Sequence, residues 1–188
     1  QVAVSGHCSD DIAVVLFTSG TTGTPKGVEI PHKAITSVLE WMEDHFDVDN
    51  SVKYLQSTNY TFDLSLPELF LPLFCGGCVV LAKPDGLADV GYVAELIEST
   101  RVTMVGMVPS VLEELTIDHS IGESVKHVLS CGETLAPHVC RIILERISPT
   151  TCLWNLYGPT ESAIYSHCAK IRDVDMARKR VPIGRPIA

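Results

Sequence analysis

The sequence predicts an α/β fold with a mostly parallel sheet flanked by helices, and two observations carry that expectation. Short apolar runs of strand length recur at residues 12–17, 52–56, 79–81, 102–105, 125–129, 151–155 and 164–167. Most intervals between them hold segments of helical period. In 34–46 the apolar residues Ile35, Val38, Leu39, Met42 and Phe46 fall at steps of three and four, and 64–74, 90–97, 110–115 and 137–147 behave similarly. Pro67 comes early enough to fit a first turn. Pro109 and Pro137 stand at helix starts, where the missing N–H has no intrahelical partner to lose. No repeat, low-complexity tract or charge block divides the chain, and the nearest thing to a linker is the polar stretch 172–180.

The 188 residues, 46% hydrophobic and 20% charged, suit one globular domain or a large piece of one. A net charge of −9 argues against nucleic-acid and anionic-membrane partners, because the average field repels phosphate. Any phosphate must then be held locally, by backbone donors and a few cations. No apolar run approaches the ~18 residues of a membrane span, and the N-terminus has no basic-then-apolar signal. Seven cysteines, an odd number without framework spacing, suggest a reducing, cytoplasmic setting. Cys75-Gly76-Gly77-Cys78 reads as a helix C-terminus stopped by two glycines, with small buried thiols on either side. The chain begins close before a strand pattern and stops at Pro186-Ile187-Ala188 without a closing helix, so a piece of a larger domain is expected.

In open α/β sheets, ligands collect beyond the carboxyl ends of the strands. That directs attention to the turns after Phe17, Ser57, Leu129 and Asn155. The first turn is Thr18-Ser19-Gly20-Thr21-Thr22-Gly23-Thr24-Pro25-Lys26-Gly27. Its glycines let backbone N–H groups converge on one point. The hydroxyls of Thr18, Ser19, Thr21 and Thr22 add donors, and Lys26 adds a full positive charge. By composition this is a phosphate cradle. It lacks the Gly-Lys-Ser/Thr of a Walker A loop, since Gly27 and Val28 follow the lysine.

With the apolar run before it, this loop resembles the phosphate-binding signature of adenylate-forming enzymes, the AMP-binding superfamily. Asn155-Leu156-Tyr157-Gly158-Pro159-Thr160-Glu161 resembles that superfamily's adenylation motif in the form found in nonribosomal peptide synthetases. Tyr157 offers a flat face for adenine. The turn at Gly158-Pro159 sets the Thr160 hydroxyl toward an α-phosphate. Glu161 is a hard oxygen ligand suited to the Mg²⁺ that accompanies ATP. Asn155 can order the loop or read the adenine edge. Ser130-Cys131-Gly132-Glu133 is similar to the family's adenine-side turn, where Gly132 permits close backbone approach.

Phe62-Asp63-Leu64-Ser65 resembles the motif of amino-acid-activating domains, in which Asp63 would pair with the substrate ammonium. Locally, Asp63 could also cap the following helix. The resemblance implies a pocket lined by Asp63, Leu64, Pro67, Gly106, Leu129, Cys131, Leu156, Ile164 and Tyr165. Asp63 is its only charge, so an uncharged side chain is expected. Gly106 is expected to leave room for a bulky apolar or aromatic one. His32 after the loop fits the family, whereas Ser37 stands where Asn is common.

The resemblance implies part of the large N-terminal subdomain of an adenylation domain. The hinge, the ribose-binding Asp and the catalytic Lys of the C-terminal subdomain are expected beyond residue 188, and two early motifs before residue 1. The implied reaction is ATP-dependent formation of an aminoacyl-adenylate, then transfer to a phosphopantetheine thiol on a carrier domain. Carrier and condensation domains of one synthetase are the implied partners. Lys26, Thr160 and Glu161 are the expected catalytic contributions. A CoA ligase or reductase-linked module is the alternative, and a nucleotide-binding segment without turnover is another.

Overall fold

The computed structural model describes residues 6, 8–19, 23–172 and 180–187. Along the chain come β1 (Ile12–Thr18), β2 (Lys26–Pro31), α1 (His32–Phe46), β3 (Lys53–Gln56) and α2 (Ser65–Cys75). Then follow β4 (Cys78–Leu81), α3 (Val90–Thr100), β5 (Met104–Met107), α4 (Pro109–Asp118) and β6 (His127–Ser130). The chain continues through α5 (Pro137–Arg146), β7 (Cys152–Tyr157), β8 (His167–Ile171) and β9 (Arg185–Pro186). The main sheet has the order β4-β3-β5-β6-β7-β8-β9. It is parallel from β4 through β7 and antiparallel over β8 and β9, so the mostly parallel expectation holds.

The order places a switch point between β3 and β5. From β3 the chain crosses outward through α2 to β4. It then returns past β3 to β5 and proceeds the other way through α4 and α5. Loops leave such a junction in opposite directions and open a crevice at the strand ends.

Strand side chains alternate between two cores, as the period-2 geometry of strands requires. Leu55, Val105, Met107, Val128 and Leu153 pack with α3, α4 and α5. Tyr54, Met104, Leu129, Trp154 and Leu156 pack with α1, α2 and the β1–β2 hairpin. α1 buries Val38, Leu39, Met42 and Phe46, the stripe read from its sequence, and ends at Asp47 in the left-handed region. At the end of α2, Gly76 (φ 77°) turns its N–H back onto the last helical carbonyls, as expected of a glycine stop. The flanking thiols are less buried than expected: Cys75 is half-buried and Cys78 exposed.

Three expectations need correction. The run 12–17 is a strand outside the main sheet. It pairs antiparallel with β2, which the sequence reading did not identify. The glycine-threonine segment therefore bridges the two strands of a hairpin and does not leave a parallel strand. Residues 102–105 slide two positions forward, because Val102 belongs to the approach and β5 begins at Met104. The run 164–167 becomes β8 only from His167, since Ala163 (φ 56°) and Ile164 (φ 77°) are left-handed and extended pairing cannot start there.

Candidate active site

The site gathers at the carboxyl ends of β3, β5, β6 and β7. Asp63 lies at the entry to α2. Its backbone carbonyl accepts the Leu66 N–H, but α2 has no side-chain cap, so the capping role for its carboxyl is not the one observed. Burial raises the Asp63 pKa, and the Glu161 charge adds to the rise. The Thr160 hydroxyl and the Leu64 N–H oppose it. Residues 97 positions apart in the chain (63 and 160) thus meet at one point. A half-buried carboxyl held above its usual range beside a second carboxylate is an unsatisfied demand for a cation.

Beside it a cavity of about 440 Å³ is lined by Cys131, Gly132, Glu133, Asn155, Leu156, Tyr157 and Gly158, together with Val181 and Ile183. The two motifs read as adenine-side and adenylate-side therefore share one space. Gly132 has φ 88°, and a Cβ there would come within 3.1 Å of Val108 Cγ1. Tyr157 is 48% exposed, and its ring lies 6.0 Å from that of His167 between centroids. A Cβ at Gly158 would lie 2.3 Å from the Ile164 carbonyl oxygen, so only glycine lets this turn cross the 164–165 backbone. Asn155 donates from Nδ2 to the Pro182 carbonyl at 2.9 Å, which is the loop-ordering role of its two readings. Glu133 accepts from the Ser110 N–H and hydroxyl at 3.2 and 3.1 Å, capping the start of α4.

The hairpin brings the cationic element. Lys26 opens β2 opposite Thr18, both at the loop end of the pair, and β2 packs against the short 3₁₀ turn Thr160–Ser162. Ser19 directly follows β1, and Gly23 has φ 82°. Gly20, Thr21 and Thr22 lie outside the described residues.

The residues read as an amino-acid pocket also converge. Leu129, Cys131, Leu156, Ile164 and Tyr165 belong to one apolar cluster, with Leu64 packed against it and Pro67 buried in the first turn of α2. Gly106 does not leave the expected room. A Cβ there would lie 2.7 Å from the Tyr54 hydroxyl oxygen, so Tyr54 already fills that space.

The family model described as AMP-binding enzyme matches residues 2–188. The chain belongs to the AMP-binding enzyme family. It is 40% identical over 183 residues to tyrocidine synthase 3 of Brevibacillus parabrevis, covering 95% of this chain and 3% of that protein. To the L-proline–[L-prolyl-carrier protein] ligase of Streptomyces coelicolor it is 38% identical, covering 94% of this chain and 34% of the relative. It superposes on the nonribosomal peptide synthetase FmoA3 in its AMPPNP-bound form with a TM-score of 0.88 and 28% identity, over 96% of this chain and 19% of that one. The fold matches the N-terminal subdomain of peptide-synthetase adenylation domains. The chain spans about a third or less of the length of these proteins.

The residues of the site are of the kinds that suit a nucleotide. Backbone at Gly132 and Gly158, the half-exposed Tyr157 and the cationic Arg180 at the cavity suit a nucleoside phosphate. Among the described residues no three His, Cys, Asp or Glu side chains form a metal cage. A cage is not required, because Mg²⁺ accompanying ATP is held by one or two carboxylates and the phosphates. Glu161 is exposed and lies close enough to Asp63 to raise its pKa.

Glu68 was missed by sequence reasoning. It is buried and held by four hydrogen bonds: with Ser57 N–H at 2.9 Å, Ser57 Oγ at 3.1 Å, Thr58 N–H at 2.8 Å and Thr58 Oγ1 at 2.7 Å. Ser57 Oγ also contacts the Gly106 carbonyl at 2.7 Å, tying β3 to β5 across the switch point. The signal was present, since Glu68 is the only charge in an otherwise apolar helix.

Proposed function

We propose that the protein activates an α-amino acid with an uncharged side chain as its aminoacyl-AMP, and passes it to the phosphopantetheine thiol of a carrier domain. The observation that carries this reading is the convergence of Asp63 with Thr160 and Glu161 next to the cavity between Gly132 and Tyr157. The substrate carboxylate attacks the α-phosphorus of ATP and pyrophosphate leaves. Both reactants are anionic, so the work is positioning and charge neutralisation.

The roles proposed are as follows. Asp63 holds the substrate ammonium, which relieves the strain of its own buried charge. Thr160 donates to the α-phosphate, and Lys26 with Thr18, Ser19 and the segment 20–23 neutralises the outgoing phosphates. Tyr157, Gly132, Glu133, Asn155 and Gly158 frame the base. Glu161 would hold Mg²⁺, which supplies charge neutralisation on the phosphates when bound. Leu64, Pro67, Leu129, Cys131, Leu156, Ile164 and Tyr165 bound the side chain and offer it no counter-ion. The bulky side chain expected from Gly106 is not retained, because Tyr54 occupies that room. Carrier and condensation domains of the same synthetase, and a cytoplasmic setting, belong with this reading.

The test is ATP–pyrophosphate exchange by the full-length protein across an amino-acid panel, followed by mass analysis of a carrier domain. The expected result is exchange dependent on an uncharged amino acid and a mass gain on the carrier. Transfer to free CoA with no carrier loading would refute the acceptor assignment.

A further inference from the structure

Glu68 belongs to the first turn of α2, yet its side chain reaches back to the end of β3, and it is 1% exposed. Its Oε2 accepts the Ser57 and Thr58 N–H groups at 2.9 and 2.8 Å. Its Oε1 lies 3.1 Å from Ser57 Oγ and 2.7 Å from Thr58 Oγ1. Ser57 Oγ also meets the Gly106 carbonyl of β5 at 2.7 Å. Glu68 therefore closes the segment 57–68 on itself and fastens it to the neighbouring strand. Within that closure, Asn59 Oδ1 accepts from the Thr61 N–H and hydroxyl at 3.0 and 2.9 Å, and the Asn59 carbonyl accepts the Phe62 N–H at 2.9 Å. The Phe62 carbonyl takes the Ser65 N–H at 3.1 Å and its hydroxyl at 2.7 Å. Asp63 follows directly, midway in the chain between Thr58 and Glu68.

One Ser57 hydrogen cannot serve both Gly106 and Glu68. With a proton on Glu68 Oε1 the two needs agree, since the acid donates to Ser57 Oγ and Ser57 donates to Gly106. Burial favours that neutral acid. The titratable groups facing it are the phenols of Tyr54 on β3 and Tyr165 ahead of β8, and burial keeps both neutral. An ionised Glu68 would draw the Ser57 hydrogen away from Gly106 and loosen the tie to β5. Glu68 does not line the cavity between Gly132 and Tyr157, so any influence it has on the reaction passes through the segment it anchors. We propose that Glu68 is a positioning residue for substrate recognition: through Ser57 and Thr58 it fixes the segment 57–63 against β5, and so sets where Asp63 meets the substrate ammonium. This rests on the amino-acid-activating reading above and deepens it.

The test uses the full-length protein in ATP–pyrophosphate exchange with its preferred amino acid, with KM read separately for the amino acid and for ATP. Glu68→Gln places an acceptor and a donor where the neutral acid has them and should stay close to wild type. Glu68→Ala removes the anchor. It should raise the amino-acid KM at least about tenfold, the worth of one buried hydrogen bond, while the ATP KM changes less than about threefold. Ser57→Ala removes only the link to Gly106 and should shift the amino-acid KM in the same direction, which decides the matter if Glu68→Ala does not fold. As pH rises through about 7, wild type should lose affinity for the amino acid relative to Glu68→Gln, because only wild type ionises there. An unchanged amino-acid KM in folded Ser57→Ala or Glu68→Ala, a rise shared equally by ATP, or a Glu68→Gln variant no better than Glu68→Ala overturns the positioning role while leaving amino-acid activation intact. No exchange with any amino acid in wild type sinks the broader reading and this one with it.

Discussion

Asp63 is raised by burial and by Glu161, against hydrogen bonds from Thr160 and Leu64, and an incoming cation would further favour its ionised form. Replacing it with Asn keeps the shape and removes the charge. Leaving the substrate ammonium unpaired in a partly desolvated site costs roughly 3–5 kcal/mol. Asp63→Asn should therefore lower kcat/KM for the amino acid about 100-fold or more, with ATP affinity changed less than about threefold. Calorimetry and exchange kinetics read the two separately, and an equal loss in both would make Asp63 a structural residue. Glu68 behaves differently. Burial lifts its pKa to about 7 from 4.5, outweighing its four hydrogen bonds. Proton counting agrees: the Ser57 hydroxyl has one hydrogen, and when it serves the Gly106 carbonyl, Glu68 is left to donate rather than accept. The folded state thus binds this proton more tightly than the unfolded chain. The stabilisation is complete below about pH 4.5 and is lost as pH rises through about 7, a swing of about 3 kcal/mol. Urea unfolding of wild type against Glu68→Gln should show a difference that shifts with this sign over that window. A difference independent of pH would contradict it.

At the scale of elements, the helices were the most legible part, because an amphipathic stripe such as Val38, Leu39, Met42 and Phe46 repeats in sequence and needs no partner to be recognised. β2 was not legible. Lys-Gly-Val-Glu-Ile-Pro has only two strand-forming apolar residues, Val28 and Ile30, between a glycine and a proline, and its strand character comes from pairing with β1. β8 was displaced because Ala163 and Ile164 look like strand residues yet occupy a left-handed turn. That turn exists to pass over Gly158. Gly158→Ala should push its Cβ into the Ile164 carbonyl, 2.3 Å away, and separate Thr160 and Glu161 from Asp63. The expected outcome is destabilisation of about 1–3 kcal/mol and loss of most exchange activity. Wild-type melting and exchange in that variant would mean the turn has slack that its backbone does not reveal. The site motifs were legible for a related reason: glycines, hydroxyls and a proline in fixed order describe backbone shape directly. The contact between Asp63 and Thr160 was not, since it depends on where two distant loops meet.

The whole molecule explains why an acidic chain can serve phosphate. Net charge −9 is an average over the surface, whereas the proposed phosphate site would work within a few ångströms through N–H groups, hydroxyls and Lys26. The strand order supplies the place. Reversal between β3 and β5 opens the crevice, Glu68 and Ser57 brace it, and β7 brings the Tyr157–Gly158 turn beside it. At this scale the central claim is that the crevice selects an ammonium-bearing acid. The most direct measurement is ATP–pyrophosphate exchange by the full-length protein with the preferred amino acid and with its amino-free counterpart carrying the same side chain. Exchange with the amino acid at least about 100-fold above the amino-free acid is the predicted result. Equal exchange with both would contradict it, because Asp63 would then have no ammonium to recognise.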